Sequence, residues 1–217
     1  MKEKVRRAYR EHEDEIESRI ESFRDLRDAL EHRLFQELVF VVLTSQSRAR
    51  DCWSAAVELE SDDLLLDGSE QEISEVLFRN DVSYEERKAG QVVELRRRLR
   101  QPTLTKPEPE LRLGDRIDGG AEKVRRDLVG SLPGVGMKAG SHFLRNVGRG
   151  MELAVLSGYI CTALSRMDYL DSPDRPADVD DYLEKERVFR TAAQDMGLGV
   201  QELDLAVWCA ETGEVFK

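Results

Sequence analysis

Leu132-Pro133-Gly134-Val135-Gly136-Met137-Lys138-Ala139 is the stretch on which the reading of this chain turns. A segment of helical period, residues 121–130, runs into it, and a second, residues 137–147, leaves it at once. Between them two glycines supply backbone conformations that a side chain would block. This is the pattern of a helix–hairpin–helix, spanning about residues 121–147. Amides of Gly134 and Gly136 at a helix start offer donors to a phosphate, and the helix dipole favours an anion there. An ordinary interhelical turn is the alternative.

Outward from the hairpin the same period recurs. Residues 3–31 carry Val5, Tyr9, Ile16, Ile20, Phe23, Leu26 and Leu30 at helical spacings between charges. Leu34 to Leu43 is too apolar for a surface helix and is expected in the core. Residues 50–60, 70–79 and 84–100 are amphipathic. Gln101 to Gly120 holds Pro102, Pro107, Pro109 and the Gly119-Gly120 pair, and reads as an ordered loop or linker. Helices resume at 121–130, 137–147, 156–169, 179–196 and 200–212. No alternating strand pattern of useful length is present, and Glu152 to Leu156 is the one ambiguous place. The fold class is all-α.

The 217 residues, 40% hydrophobic and 35% charged, suffice for one large domain or two small interleaved ones and are too apolar for a disordered chain. The longest apolar run, Leu38 to Leu43, is far short of the ~18 residues that a membrane span needs. The N-terminal MKEKVRRAYREHEDE lacks the apolar stretch of a signal peptide, so a cytoplasmic protein is expected. Cys52, Cys161 and Cys209 are odd in number and far apart, and write neither a disulfide framework nor a metal spacing. No metal or cofactor is expected.

A net charge of −11 would ordinarily argue against a nucleic-acid partner. It is built from 44 acidic residues against 25 Arg and only 8 Lys. An acid-rich, Lys-poor surface resembles that of proteins from salt-loving organisms, in which carboxylates keep the chain hydrated. On that reading local clusters carry the information, and they are basic: Arg96, Arg97, Arg98 and Arg100, then Arg125 and Arg126 before the hairpin. Solvated helix faces are the alternative for each cluster.

With the hairpin go Leu43-Thr44-Ser45-Gln46, the continuation Gly140-Ser141-His142-Phe143-Leu144-Arg145-Asn146-Val147-Gly148, and a tail with Glu202-Leu203-Asp204-Leu205, Trp208, Glu211-Thr212-Gly213 and Lys217. Through these strings the chain resembles the helix–hairpin–helix DNA glycosylase superfamily, and within it the second group of archaeal 8-oxoguanine DNA glycosylases/AP lyases. The resemblance implies a single glycosylase unit over 1–217 of two helical sub-domains. One is central, at 33–130; the other joins 1–32 to 131–217 and carries the hairpin. It implies base-excision repair by a monomer acting on double-stranded DNA that contains oxidised purines or abasic sites.

Lys138 matches the family's nucleophile, an amine that attacks C1′, expels the base and forms a Schiff base from which the strand is cleaved. At the start of a helix the dipole and partial burial disfavour its ammonium form. Ser157 stands where the family has a catalytic Asp, with Gly158-Tyr159 in place of the following Arg-His pair. A hydroxyl neither stabilises positive charge on the sugar nor deprotonates an amine well, and loss of such a group costs on the order of 10²–10⁴ in rate. A damaged-DNA-binding protein with weak or no turnover is therefore the second reading. The resemblance makes Gly134, Gly136 and His142 contacts to the DNA backbone, and Gln46 the plug for the space that an extruded base vacates. Trp208 is expected to stack on that base with Tyr84 opposite, while Asp204 and the carboxylate of Lys217 contact its edge.

A protein whose affinity rests on amides, stacking and a neutral plug releases few counterions. The logarithm of DNA affinity should fall with the logarithm of salt by only about two to four phosphates' worth, with specific binding persisting above about 1 M potassium chloride. Stability should drop in dilute salt, where the Debye length reaches about 10 Å or more and 44 acidic groups repel. Salt titrations of binding and of thermal unfolding check both; steep loss of binding with full low-salt stability would contradict a salt-adapted surface.

Overall fold

The computed structural model describes residues 1–101 and 110–217. In chain order the described residues form α1 (Lys2–Glu11), α2 (Glu13–Asp25), α3 (Glu31–Leu43), α4 (Ala49–Ser61), α5 (Leu64–Asp67), α6 (Glu70–Arg79) and α7 (Glu85–Leu99). Strands β1 (Arg100–Gln101) and β2 (Glu110–Leu111) follow as a minimal antiparallel ribbon. The chain closes with α8 (Ala121–Ser131), α9 (Met137–Asn146), α10 (Gly158–Arg166), α11 (Val179–Met196) and α12 (Val200–Thr212). The fold is all-α. No helix among the described residues is long and apolar enough to cross a membrane.

Three local expectations are corrected. Residues 3–31 are not one helix: the apolar stripe lapses between Arg10 and Glu15, and the backbone breaks at His12 (φ −126°) between α1 and α2. The expected linker at 101–120 contains β2 in its middle, paired with β1 at its start; Pro102, Pro107 and Pro109 lie outside the described residues. The helix expected from residue 156 starts at Gly158, because Ser157 caps it, its hydroxyl accepting from the Ile160 amide at 3.3 Å.

The chain forms two compact units, Met1–Arg27 with Leu144–Lys217, and Asp28–Phe143. The expected boundaries, 33–130 against 1–32 plus 131–217, are therefore shifted, and the hairpin goes with the central unit. The cause is packing. Gly134 adopts φ +76°, and a β-carbon there would stand 3.2 Å from Gln91 Nε2 on α7 and 3.3 Å from Val42 Cγ1 on α3. Arg98 on α7 also donates to the Ser131 carbonyl at the end of α8, at 2.8 Å.

The core of the central unit is α3, whose residues Leu34 to Leu43 are all buried. Glu31 in its first turn accepts from the amides of Leu113 at 2.7 Å and Gly114 at 3.0 Å, fixing the segment after β2. α6 begins with a reciprocal Ser69–Glu72 capping box. In the other unit α1 and α12 pack together, and Gly148 (φ +64°) lets the chain after α9 touch α2, since a β-carbon would meet the Phe23 carbonyl at 2.6 Å.

The ambiguous stretch before Ser157 is buried without being a strand. Leu153, Ala154, Val155 and Leu156 are all in the core, so their amides and carbonyls need partners. Side chains provide them. Glu186 accepts from the Ala154 amide at 2.9 Å, the Tyr182 hydroxyl donates to the Ala154 carbonyl at 2.7 Å and accepts from the Leu156 amide at 3.3 Å, and Gln201 donates to the Leu153 carbonyl at 2.9 Å. This lattice sets where Ser157 and the start of α10 fall. Tyr182→Phe, which removes one donor and one acceptor from it, should cost about 1–3 kcal/mol in urea unfolding; an unchanged midpoint would show that the segment is held otherwise.

Candidate functional site

The two units each carry part of the expected site. In the central unit, α8 and α9 are bound face to face: Arg125, 1% exposed, donates to Ser141 Oγ at 2.9 Å, and Gly140 leaves room for the Arg125 stem. The turn between them presents Gly134 and Gly136 at the surface. Among the described residues no backbone carbonyl accepts from either amide, as a helix start requires of its first donors. Gly134 is glycine for its positive φ and close packing; around Gly136 there is open space.

Lys138 lies in the first turn of α9, half-buried, with Nζ 3.5 Å from Thr44 Oγ1 just beyond the end of α3. Next to it Cys52 is fully buried, its thiol 3.2 Å from the Leu43 carbonyl. Burial pushes that thiol up to about 11, against the opposing pull of the Lys88 and Lys138 charges, so Cys52 is an inert core thiol at neutral pH. Gln46 sits exposed in the α3–α4 turn at φ +56°, and Tyr84, 54% exposed, caps α7 at φ +61° with the Arg87 guanidinium 5.0 Å from its ring centre. These two turns are joined: the Ser83 amide donates to Ser47 Oγ at 3.0 Å.

Two expectations in this unit are corrected. His142 is 5% exposed and packs edge-on against Phe40 (5.5 Å, 75°), so it belongs to the core beneath the hairpin and presents no ring edge to DNA backbone. Most of the basic clusters are engaged within the protein, Arg126 remaining exposed. Arg97 and Arg98 both bind Glu94 and hold its carboxyl down at about 2, Arg100 pairs with Asp67, Arg96 donates to the Gly68 carbonyl, and Arg125 is buried.

In the other unit Ser157 starts α10, and Tyr159, two residues on and 47% exposed, meets Trp208 of α12 edge to face (5.3 Å, 82°). The indole is half-buried, and its Nε1 is shielded from water with no partner among the described residues. Asp204, one turn before Trp208, is 7% exposed and its carboxylate is taken by Arg145, which also binds Asn146 Oδ1 and lies 4.9 Å from the Phe23 ring. Asp204 is thereby the counter-ion of a buried guanidinium. Lys217 follows Phe216, which anchors the tail at 7% exposure.

The family model for 8-oxoguanine DNA glycosylase matches residues 16–198. The chain belongs to the 8-oxoguanine DNA glycosylase family. It is 30% identical to an 8-oxoguanine DNA glycosylase/AP lyase of Fusobacterium nucleatum, over 98% of this chain and 96% of that one. With the counterpart in Metallosphaera sedula it shares 34% identity over 92% of each. The crystal structure of the Thermotoga maritima 8-oxoguanine DNA glycosylase matches with a TM-score of 0.86 at 28% identity, covering 100% of this chain and 98% of that one. The Methanocaldococcus jannaschii glycosylase/lyase bound to a 15mer DNA containing 8-oxoguanine matches at 0.85 and 26%, covering 100% and 99%. The relatives are bacterial as well as archaeal, so the likeness is wider than the archaeal group.

For a member of this family the residues that pattern reading missed are the supports. Lys88 shares one helical stripe with the buried Val92, Leu95 and Leu99, and a lysine on an apolar stripe was a legible signal. Arg145 carried none, since its partner is 59 residues away. Asp204→Ala, which strands the buried Arg145 charge, should cost about 3–5 kcal/mol in denaturant unfolding. Wild-type stability in that variant would return Asp204 to a recognition role.

Proposed function

We propose that this protein removes 8-oxoguanine from duplex DNA and cleaves the strand at the abasic site it creates, as a cytoplasmic monomer, with Lys138 as nucleophile. The observation that carries the reading is Lys138 itself, half-buried in the first turn behind a hairpin whose Gly134 and Gly136 amides have no backbone acceptor among the described residues. Amides of Gly134 and Gly136 take a phosphate and set the strand in register without adding net charge. The neutral amine of Lys138 attacks C1′; the C1′–N9 bond breaks with its electron pair going to the purine, which takes up a proton. The sugar ring opens to give the Schiff base, a proton leaves C2′, and the C3′–O bond breaks by β-elimination. Trp208, walled on one side by Tyr159, supplies an aromatic face for the extruded purine, and Gln46 fills the gap in the duplex.

Ser157 favours a second reading, a protein that binds damaged DNA and turns over slowly. Its hydroxyl is engaged as the cap of α10, and an uncharged oxygen does little for positive charge growing on the sugar. Asp caps helices as well as Ser does, so the carboxylate can be restored without unfolding α10. Single-turnover assays on an 8-oxoguanine:C duplex decide between the readings. Ser157→Asp should raise excision about tenfold or more with little change in duplex affinity or stability, and Lys138→Gln should abolish strand cleavage. Excision by Ser157→Asp at or below the wild-type rate, with wild-type activity itself absent, would leave the binding-protein reading.

A further inference from the structure

Lys88 is fully buried, yet among the described residues no carboxylate faces it. Its ammonium donates to the Leu43 carbonyl at 2.7 Å and to Ser47 Oγ at 2.8 Å. The titratable and charged groups around it are the Cys52 thiol on α4 and Arg87 on α7, and Lys138 on α9 acts on the same thiol. An unpaired buried cation is expensive, and a methionine of similar length would spare the chain that cost. The arrangement therefore calls for a reason, and its geometry gives one.

Leu43 is the last residue of α3, so the ammonium sits at the negative end of that helix dipole. Ser47 Oγ accepts both from Lys88 and from the Ser83 amide. One cation thus ties together the end of α3, the turn that carries Gln46 and the turn that carries Tyr84. Gln46 (φ +56°) and Tyr84 (φ +61°) both stand in the left-handed region that side chains rarely adopt. Such conformations persist only where the surroundings over-determine them. Both side chains are exposed and serve no core.

We propose that Lys88 is a positioning residue for base extrusion: through Leu43 and Ser47 it clamps the Gln46 and Tyr84 turns into one rigid surface, and it takes no part in the chemistry at Lys138. This deepens the glycosylase reading above and rests on it.

The test compares an 8-oxoguanine:C duplex, in which a base must be extruded, with the same duplex holding a preformed abasic site, in which none must. Lys88→Met keeps the length of the side chain and removes its donors; Ser47→Ala is a milder variant that cuts the same link, and unfolding midpoints accompany both. Lys88→Met should lower single-turnover excision about tenfold or more, and Ser47→Ala should act in the same direction by less. Borohydride trapping on the abasic duplex should stay within about twofold of wild type. With 2-aminopurine at the target position, the fluorescence rise on unstacking should be large for wild type and small for both variants. Equal losses on the two duplexes, or full extrusion by both variants, overturn the proposal. If wild type neither excises nor traps, the glycosylase reading fails, and the 2-aminopurine comparison still decides the positioning role because extrusion needs no turnover.

Discussion

The close approach of the Gly134 backbone to Val42 and Gln91 is the constraint on which the functional half of this chain depends. At φ +76°, with a β-carbon's place crowded to 3.2–3.3 Å by Gln91 and Val42, any side chain here would strain the seat of the hairpin on α3 and α7. Seating it fixes the first turn of α9 and so brings Lys138 to the end of α3, beside Thr44. The same helix end is where Lys88 binds, and from it the Gln46 turn departs. Lys138, the Gln46 turn and Lys88 are therefore all referenced to one buried helix.

In the other unit a different device performs the same task. Leu153 to Leu156 is core backbone with no ladder, so Tyr182, Glu186 and Gln201 stand in for neighbouring strands. Its end point is Ser157, where capping and catalysis can be separated chemically. A carboxylate at a helix start both caps and carries charge; a hydroxyl caps only. In this chain the position is a hydroxyl, which meets the requirement of the fold by capping α10.

Helices were legible in the sequence wherever an apolar stripe ran uninterrupted: α6, α11 and α12 fall where periodicity places them, each bounded by a capping residue or a glycine. The break at His12 and the start of α10 needed local chemistry that period alone does not carry. Site residues divided in the same way. The turn at Gly134 is legible from the glycine spacing, and Lys138 falls in the first turn of the helix that the pattern places after it. The basic runs misled because a string of Arg says nothing about partners, and Glu94, Asp67 and Ser141 neutralise or bury them. The burial of His142 and Asp204 was not legible for the complementary reason: polar types suggest a surface, and burial is set by distant residues such as Phe40 and Arg145. A net charge of −11 is compatible with DNA binding when the contacts are amides and stacked rings.

The central claim is that one amine, at the foot of the glycine hairpin, bonds to the sugar. Reduction of the protein–DNA intermediate with borohydride, followed by digestion and tandem mass spectrometry, locates that bond directly. The account predicts the deoxyribose adduct on the peptide that carries Lys138, at its Nζ. An adduct at the N-terminal amine or at another of the eight lysines would contradict it.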